Sequence, residues 1–427
     1  MKDRLVSGGG RLQGEVRVPG DKSVSHRALI LGALAEGETV VSGLPSGVDV
    51  ASTRSCLKAL GVEITGHAPC VRVRGRGLGG LKASGGPLDA GNSGTTMRLL
   101  TGVLAGHPFS SQFVGDESLT RRPMTRVAQP LRAMGAEIGL SATGTPPIDI
   151  SGGALRGIEY KTPVASAQVK SAILLAGLHA KGETAVIEPM ATRDHTERML
   201  AVFGVPVQRN GLKVAVRGGS TLRASTVRIP GDASSAAFWV VAATLAPDSE
   251  LAVRSVGANV TRTGYLSVLA RMGADIHREP LRGEGGEEIE DLIVSSSDLR
   301  GVNISTAEVP GLIDEVPILA LAAALAAGES RFCGLGELRH KESDRLAGIT
   351  GLLSSFGVNA RVVGDDLIVT GVKKLNPAKI DSLGDHRLAM TGFIAGFLAS
   401  GESAVKGAAC AEISYPTFYG DFLERTM

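Results

Sequence analysis

Apolar and polar positions along the chain fall into two alternating textures. Ala/Leu-rich stretches with helical spacing end in Gly-Glu-Thr/Ser and pass into a short β-like run: LGALAEGETVV (31–41), LAGLHAKGETAVI (175–187), LAAALAAGESRF (321–332) and IAGFLASGESAV (394–405). Weaker copies are LTGVLAGHPFSSQFV (100–114) and VAATLAPDSELAV (241–253). A second marker interleaves with the first. It is a helix end, then Gly-(Ala/Val), then a strand: LKALGVEI (57–64), LRAMGAEI (131–138), LAVFGVPV (200–207), LARMGADI (269–276) and LLSSFGVNA (352–360). Glycine there suits the left-handed residue that closes a helix. Both markers return about every 70 residues, a period that reads strand, helix, strand, helix, then strands. Six such periods account for 427 residues, the sixth copy of the second marker opening at YPTFYGDFLERTM (415–427). A plain solenoid is the alternative, but solenoid repeats usually run about 20–50 residues.

The stretch VRVPGDKSVS (16–25) returns three periods later as VRIPGDASSA (227–236), with Ala233 where the first copy has Lys22. A chain this long exceeds the size at which one core stops growing, so two domains are expected. The two Pro-Gly-Asp turns read as crossovers between them, near 18–21 and 229–232. One domain is then 21–230 and the other joins 1–20 to 231–427. The expected class is α/β, with two similar domains of three repeats each.

Helix N-termini carry free N–H groups and partial positive charge, so they collect anions. The six predicted first-helix starts are GDKSVSHR (20–27), GNSGTTMR (91–98), ASAQVKSA (165–172), GDASSAAF (231–238), GLIDEVPI (311–318) and GDHRLAM (384–390). Each alone reads as ordinary capping. As a set they bring Lys22, Arg27, Arg98, Lys170 and Arg387 together with Asp314 and Glu315. If they converge on one cleft, they form a polyanion site with carboxylates for proton transfer. The second-helix starts add RRPMTR (121–126), TRDHTER (192–198) and HKESDR (340–345).

Composition narrows the partners. Net charge is +2, with 43% hydrophobic and 21% charged residues. That gives no global field for nucleic acid or an anionic membrane. The longest apolar stretches, AAFWVVAATLA (236–246) and ILALAAALAA (318–327), are too short to span a bilayer. Four cysteines form no C-x-x-C pair, and MKDRLVSGGG at the start has no signal-peptide apolar region, so a reducing cytoplasm is expected. Glycine is abundant, 57 residues, which marks many tight turns. GDKS lacks the glycine run of a phosphate loop, RGRGLGG (74–80) lacks the spacing and the following helix of a dinucleotide fingerprint, and the eight histidines lack metal-ligand spacing.

PGDKSVSHRALILGALAEG, GNSGTTMRLL, SLTRRPM, ASAQVKSAILLAGL, TRDHTE, GDASSAAF, LIDEVP, KESDR and GDHRLAM occur in this order over residues 19–390. Together they resemble the 5-enolpyruvylshikimate-3-phosphate (EPSP) synthases. The resemblance implies two domains, each of three βαβαββ units in an inverse α/β-barrel-like arrangement, with helix N-termini facing an interdomain cleft. It implies transfer of the enolpyruvyl group of phosphoenolpyruvate to the 5-hydroxyl of shikimate 3-phosphate, with release of phosphate. No metal or organic cofactor is implied. By motif match, Lys22, Ser23, Arg27, Ser166, Ala167, Gln168, Arg193, Asp314 and Lys341 hold shikimate 3-phosphate. Lys22, Gly94, Arg122, Gln168, Arg345 and Arg387 hold phosphoenolpyruvate. Asp314 matches the base, and Glu342 with Lys22 the proton-handling pair. On this reading only one crossover lysine is wanted at the anion site, which explains Ala233. A monomer acting on small molecules is expected.

Three positions depart from common family patterns: Leu99 for a frequent Pro, Ala167 for a frequent Ser, and Ile413 near where some members place a lysine. The alternatives are the sister transferase acting on UDP-N-acetylglucosamine and a non-enzymatic phospho-ligand-binding repeat protein. The first commonly carries a reactive cysteine in the loop that here is HPFSSQFVGDESLTRRPMTR (107–126), which has none. The second would not need Asp314 and Glu342 among arginines.

Overall fold

A computed structural model describes residues 3–283 and 285–427. Twelve α-helices alternate in pairs through the six repeats among the described residues. The first helix of each pair is α1 (Lys22–Leu34), α3 (Gly94–Leu104), α5 (Ala167–Gly177), α7 (Ala233–Leu245), α9 (Val316–Ala324) or α11 (His386–Leu398). The second is α2 (Val48–Ala59), α4 (Thr125–Met134), α6 (His195–Val202), α8 (Gly264–Met272), α10 (Arg345–Ser355) or α12 (Phe418–Arg425). Each repeat has its own sheet. In the second, Leu88–Asp89 runs parallel to Ser110–Val114, which pairs antiparallel with Ile148–Ser151, itself paired with Glu137–Gly139. The third and fifth repeats follow the same order.

The first and fourth repeats obtain their opening strands from a distance. Thr226–Arg228 pairs parallel with Glu38–Ser42 in the first sheet. Gln13–Val16 pairs parallel with Glu250–Gly257 in the fourth. Each repeated Val-Arg-(Val/Ile)-Pro-Gly-Asp stretch therefore follows or ends a strand of one repeat and then starts a helix of another. The sixth sheet has three strands: Lys379–Asp381 lies parallel to Glu402–Lys406, whose other edge takes Arg4–Ser7 antiparallel.

Contacts divide the chain into two compact units. One is Gly20–Ile229 with Gly283–Glu287, called here the Lys22 unit; the other is Met1–Pro19, Pro230–Arg282 and Glu288–Met427, the Asp314 unit. Each has a continuous apolar core. The first helices are apolar on all sides and run through these cores: in α7 and α9 nearly every residue is buried, as expected for helices without a polar face. In the Asp314 unit, Phe418 and Phe422 of α12 pack against Trp239 and Phe393, with Trp239 and Phe422 rings stacked at 5.3 Å.

Side-chain caps hold five of the six first-helix starts. Asp21, Ser93, Ser166, Asp232 and Asp385 accept from the N–H groups of Val24, Thr96, Val169, Ser234 and Arg387. Helix α9 has none and begins after Glu315. The glycine of the crossover turn has a steric cause: a Cβ on Gly20 would lie 2.0 Å from the Gly43 carbonyl oxygen, and one on Gly231 would lie 2.9 Å from Val18 Cγ2.

His26 on α1 is fully buried, and its Nδ1 lies 2.6 Å from Thr53 Oγ1. Burial depresses its pKa to about 3, against the pull of nearby Asp49 and with the help of Lys22 and Arg27. The unfolded chain therefore binds a proton on His26 at higher pH than the folded one. Its contribution is fully present above about pH 6.5 and is lost as pH falls toward 3. His26→Asn, which keeps a polar atom near Thr53, is expected to flatten the decline of Tm between pH 6.5 and 4; an unchanged slope in calorimetry would refute this assignment.

Candidate functional site

In the Lys22 unit, the starts of α1, α3 and α5 carry the predicted anion-binding residues. Lys22 is the first residue of α1 and is partly exposed; its ammonium lies 2.7 Å from Asp49 Oδ2 on α2. Ser23 follows it, partly buried. Arg27, one turn further, is almost wholly buried. Its Nε donates to Thr196 Oγ1 at 2.6 Å, Nη2 to Ser171 Oγ at 2.7 Å and Nη1 to the Ser23 carbonyl at 2.8 Å. Two of its N–H groups thus tie α1 to α5 and α6 and a third bonds within α1, while its pKa falls to about 10 through burial, opposed first by Glu197. Arg193 also bears on Arg27 as a like charge.

Ser166 caps α5, followed by Ala167 and Gln168 on its first turn. Gln168 is held at both ends of its amide: Oε1 accepts from Arg98 Nη1 at 2.8 Å and Nε2 donates to Thr95 Oγ1 at 2.9 Å. Gly94 opens α3. A Cβ there would come within 2.6 Å of Arg98 Nη1 and 3.4 Å of Arg122 Nη1. Arg122 donates to Asn92 Oδ1 at 2.9 Å and Ser118 Oγ at 3.2 Å. Leu99 is fully buried in the α3 core.

In the Asp314 unit the carboxylates surround one arginine. Arg345 opens α10 and is essentially fully buried. Its Nε donates to Asp385 Oδ2 at 2.7 Å, Nη1 to Asp314 Oδ1 at 3.1 Å and Nη2 to Glu342 Oε2 at 2.5 Å. Burial works against its charge, but Asp385, Glu342 and Asp314 outweigh it and raise the pKa above the ordinary arginine value. Asp385 is held below the usual carboxylate range: burial raises it, and Arg345 more than offsets that. Asp314 also lies 3.1 Å from Lys341 Nζ, and its backbone carbonyl accepts from Arg387 Nη1 at 2.7 Å. Arg387 is 3.7 Å from Glu315, which accepts a hydrogen bond from Ser234.

The structure brings Lys22, Ser23, Arg27, Ser166, Ala167, Gln168, Gly94 and Arg122 to helix starts and adjoining turns within one unit. It joins Asp314, Lys341, Glu342 and Arg345 in one ion-pair cluster within the other, with Arg387 hydrogen-bonded to the Asp314 backbone carbonyl. Sequence reasoning missed Asp49, Asn92 and Asp385 as partners of these residues. Ile413 ends a short 3-10 turn, Ala408–Ile413. Among the described residues no group of three or more His, Cys, Asp or Glu is arranged to hold a metal ion, and no helix is long and apolar enough to cross a membrane.

Each unit thus carries three α/β repeats whose helix starts are rich in cations and carboxylates. The sequence profile described as EPSP synthase (3-phosphoshikimate 1-carboxyvinyltransferase) matches residues 6–422. A 3-phosphoshikimate 1-carboxyvinyltransferase of Gloeobacter violaceus is 52% identical over 412 residues, covering 96% of this chain and 95% of the relative. One of Desulforudis audaxviator is 51% identical over 409 residues, covering 95% of each. The solved structure of EPSP synthase from Acinetobacter baumannii superposes with a TM-score of 0.90 at 42% identity, covering 100% of this chain and 98% of that one. The chain belongs to the EPSP synthase family, and it is a transferase of the shikimate pathway.

Proposed function

We propose that the chain transfers the enolpyruvyl group of phosphoenolpyruvate to the 5-hydroxyl of shikimate 3-phosphate through the residues described above. Shikimate 3-phosphate is held by Lys22, Ser23, Arg27, Ser166, Ala167, Gln168, Arg193, Asp314 and Lys341. Phosphoenolpyruvate is held by Lys22, Gly94, Arg122, Gln168, Arg345 and Arg387. Both substrates carry phosphate and carboxylate, which arginine forks grip in two-point contacts. Asp314 removes the 5-hydroxyl proton as that oxygen attacks C2. Glu342, with Lys22, delivers a proton to C3. A tetrahedral ketal phosphate results; the C2–O bond to phosphate then breaks as Glu342 takes a proton back from C3, giving the enol ether and free phosphate.

The observation that carries this reading is the shared arginine: Asp314 and Glu342 both engage Arg345, at 3.1 and 2.5 Å. Lys341 and Arg345 lie against Asp314, and Arg345 lies against Glu342. An anion arriving at Arg345 competes with Glu342 for its Nη2 group, and a released Glu342 can take up the proton it delivers. The test is phosphate release measured with phosphoenolpyruvate alone and with shikimate 3-phosphate or UDP-N-acetylglucosamine added. Release that requires shikimate 3-phosphate supports the reading; release only with the nucleotide sugar, or none, overturns it.

One chain supplies every residue in this proposal, which supports the reading that the protein acts as a monomer. Cys56, Cys70, Cys333 and Cys410 are free thiols, which supports a reducing cytoplasm. Glyphosate, a competitor of phosphoenolpyruvate in sensitive family members, gives a further test. A methyl at Gly94 presses on the ends of Arg98 and Arg122 rather than on backbone. Gly94→Ala is expected to raise the glyphosate inhibition constant by about tenfold or more and to raise KM for phosphoenolpyruvate less, each tenfold corresponding to about 1.4 kcal/mol. An unchanged inhibition constant would remove Gly94 from the site.

A further inference from the structure

Beneath the helix starts of the Lys22 unit lies a second charged group that the reaction does not use. Lys170, on α5, is completely buried. Its ammonium lies 2.8 Å from Glu188 Oε2 and 2.7 Å from Glu197 Oε1, and both carboxylates are themselves buried. Thr192 donates a further hydrogen bond to Glu188. The neighbours of this group in sequence are the clamps of Arg27. Ser171 follows Lys170, and Thr196 precedes Glu197; their hydroxyls are 2.7 Å apart, and each accepts from the Arg27 guanidinium.

We infer that Lys170 is a positioning residue for the shikimate 3-phosphate site, holding Glu188 and Glu197 so that Glu197 does not draw Arg27 away from the bound phosphate. The geometry gives the reason. A buried ammonium between two carboxylates fixes α5 to α6 just below the Ser171–Thr196 pair. Glu197 is the foremost of the carboxylates acting on the Arg27 charge. With Lys170 present, Glu197 already has a cation in contact. Without it, Glu197 acts on Arg27 without a cation of its own in contact, and a carboxylate inside a low-dielectric site competes strongly with an incoming phosphate for that guanidinium. The four charges of Lys170, Arg27, Glu188 and Glu197 also sum to zero, as burial demands.

This inference rests on the assignment of Arg27 to shikimate 3-phosphate, and the experiment separates the two. Lys170→Met, the charge-balanced pair Lys170→Met with Glu188→Gln, and Lys170→Arg are compared with Arg27→Met. The single methionine variant leaves two buried carboxylates uncompensated and can fail to fold, which is why the balanced pair decides. Its dissociation constant for shikimate 3-phosphate, by calorimetry, is expected to rise about ten- to a hundredfold, in the range of coupling between residues in one network. KM for phosphoenolpyruvate and kcat should change far less, and Lys170→Arg should recover most of the affinity. A purely structural role would lower Tm without this substrate-specific split. Affinity lost in Arg27→Met but within twofold of wild type in the folded pair overturns the role of Lys170. Affinity unchanged in Arg27→Met overturns the binding assignment itself.

Discussion

Asp314→Asn is expected to lower kcat by roughly 10²–10⁴, the usual worth of a general base, while both substrates still bind. The substitution keeps the shape and the acceptor oxygen that faces Lys341 and Arg345, each 3.1 Å from the carboxylate. It removes the capacity to take a proton. Glu342→Gln should lower kcat over the same range for the complementary reason: the amide still fits beside Arg345 but has no proton to deliver to C3. The two effects should not add, because both residues belong to one cluster around one arginine and act in one step. Calorimetry distinguishes this from a structural role. If either variant loses binding while the complex that remains turns over normally, its carboxylate is only a strut.

The repeat order was legible because each repeat carries two composition markers with a physical cause, a helix-closing glycine and a Gly-Glu-Ser/Thr turn. The partner strands were not. Gln13–Val16 and Thr226–Arg228 are four- and three-residue strands with no pattern that says which sheet they join. Arg4–Ser7 likewise gives no local sign that it completes the sixth sheet, nearly 400 residues away. Short strands encode an extended backbone, and register comes from tertiary packing.

The same limit applies to the site. Lys22 and Arg27 stood out because they follow a helix start, and Ser166 and Gln168 through the motif match at another. Asp49 looked like an ordinary acidic residue in the first turn of α2, where it suits the helix dipole, and only folding sets it against Lys22. The sequence also does not show that a Cβ on Gly94 would meet the ends of Arg98 and Arg122. The difference between the two crossover copies also has a structural side. Ala233 is buried in the apolar core, and the cation of that repeat comes from Arg262, just before α8, whose Nη2 donates to Ser234 Oγ at 2.7 Å and Asp232 Oδ1 at 3.1 Å. The charge has moved from the first helix of the pair to the start of the second.

Lys22→Ala is expected to reduce kcat/KM by on the order of 10²–10³ or more for both substrates, the range for removing a close charge partner. Lys22 is partly exposed at the positive end of α1, and the Asp49 carboxylate at 2.7 Å orients it. Removing the ammonium does two things. On the proposed reading it deletes a direct contact to phosphate and carboxylate, and it takes away the cation 2.7 Å from Asp49, whose negative charge then bears more on the same anions. Lys22→Arg restores the charge but not the compact, freely turning ammonium, so it should recover binding more than turnover. The paired substitution Lys22→Ala with Asp49→Asn separates the two contributions: if repulsion from Asp49 is a large part of the loss, the pair is more active than Lys22→Ala alone. A Lys22→Ala enzyme within threefold of wild type for both substrates would show that this lysine is not at the reacting centre.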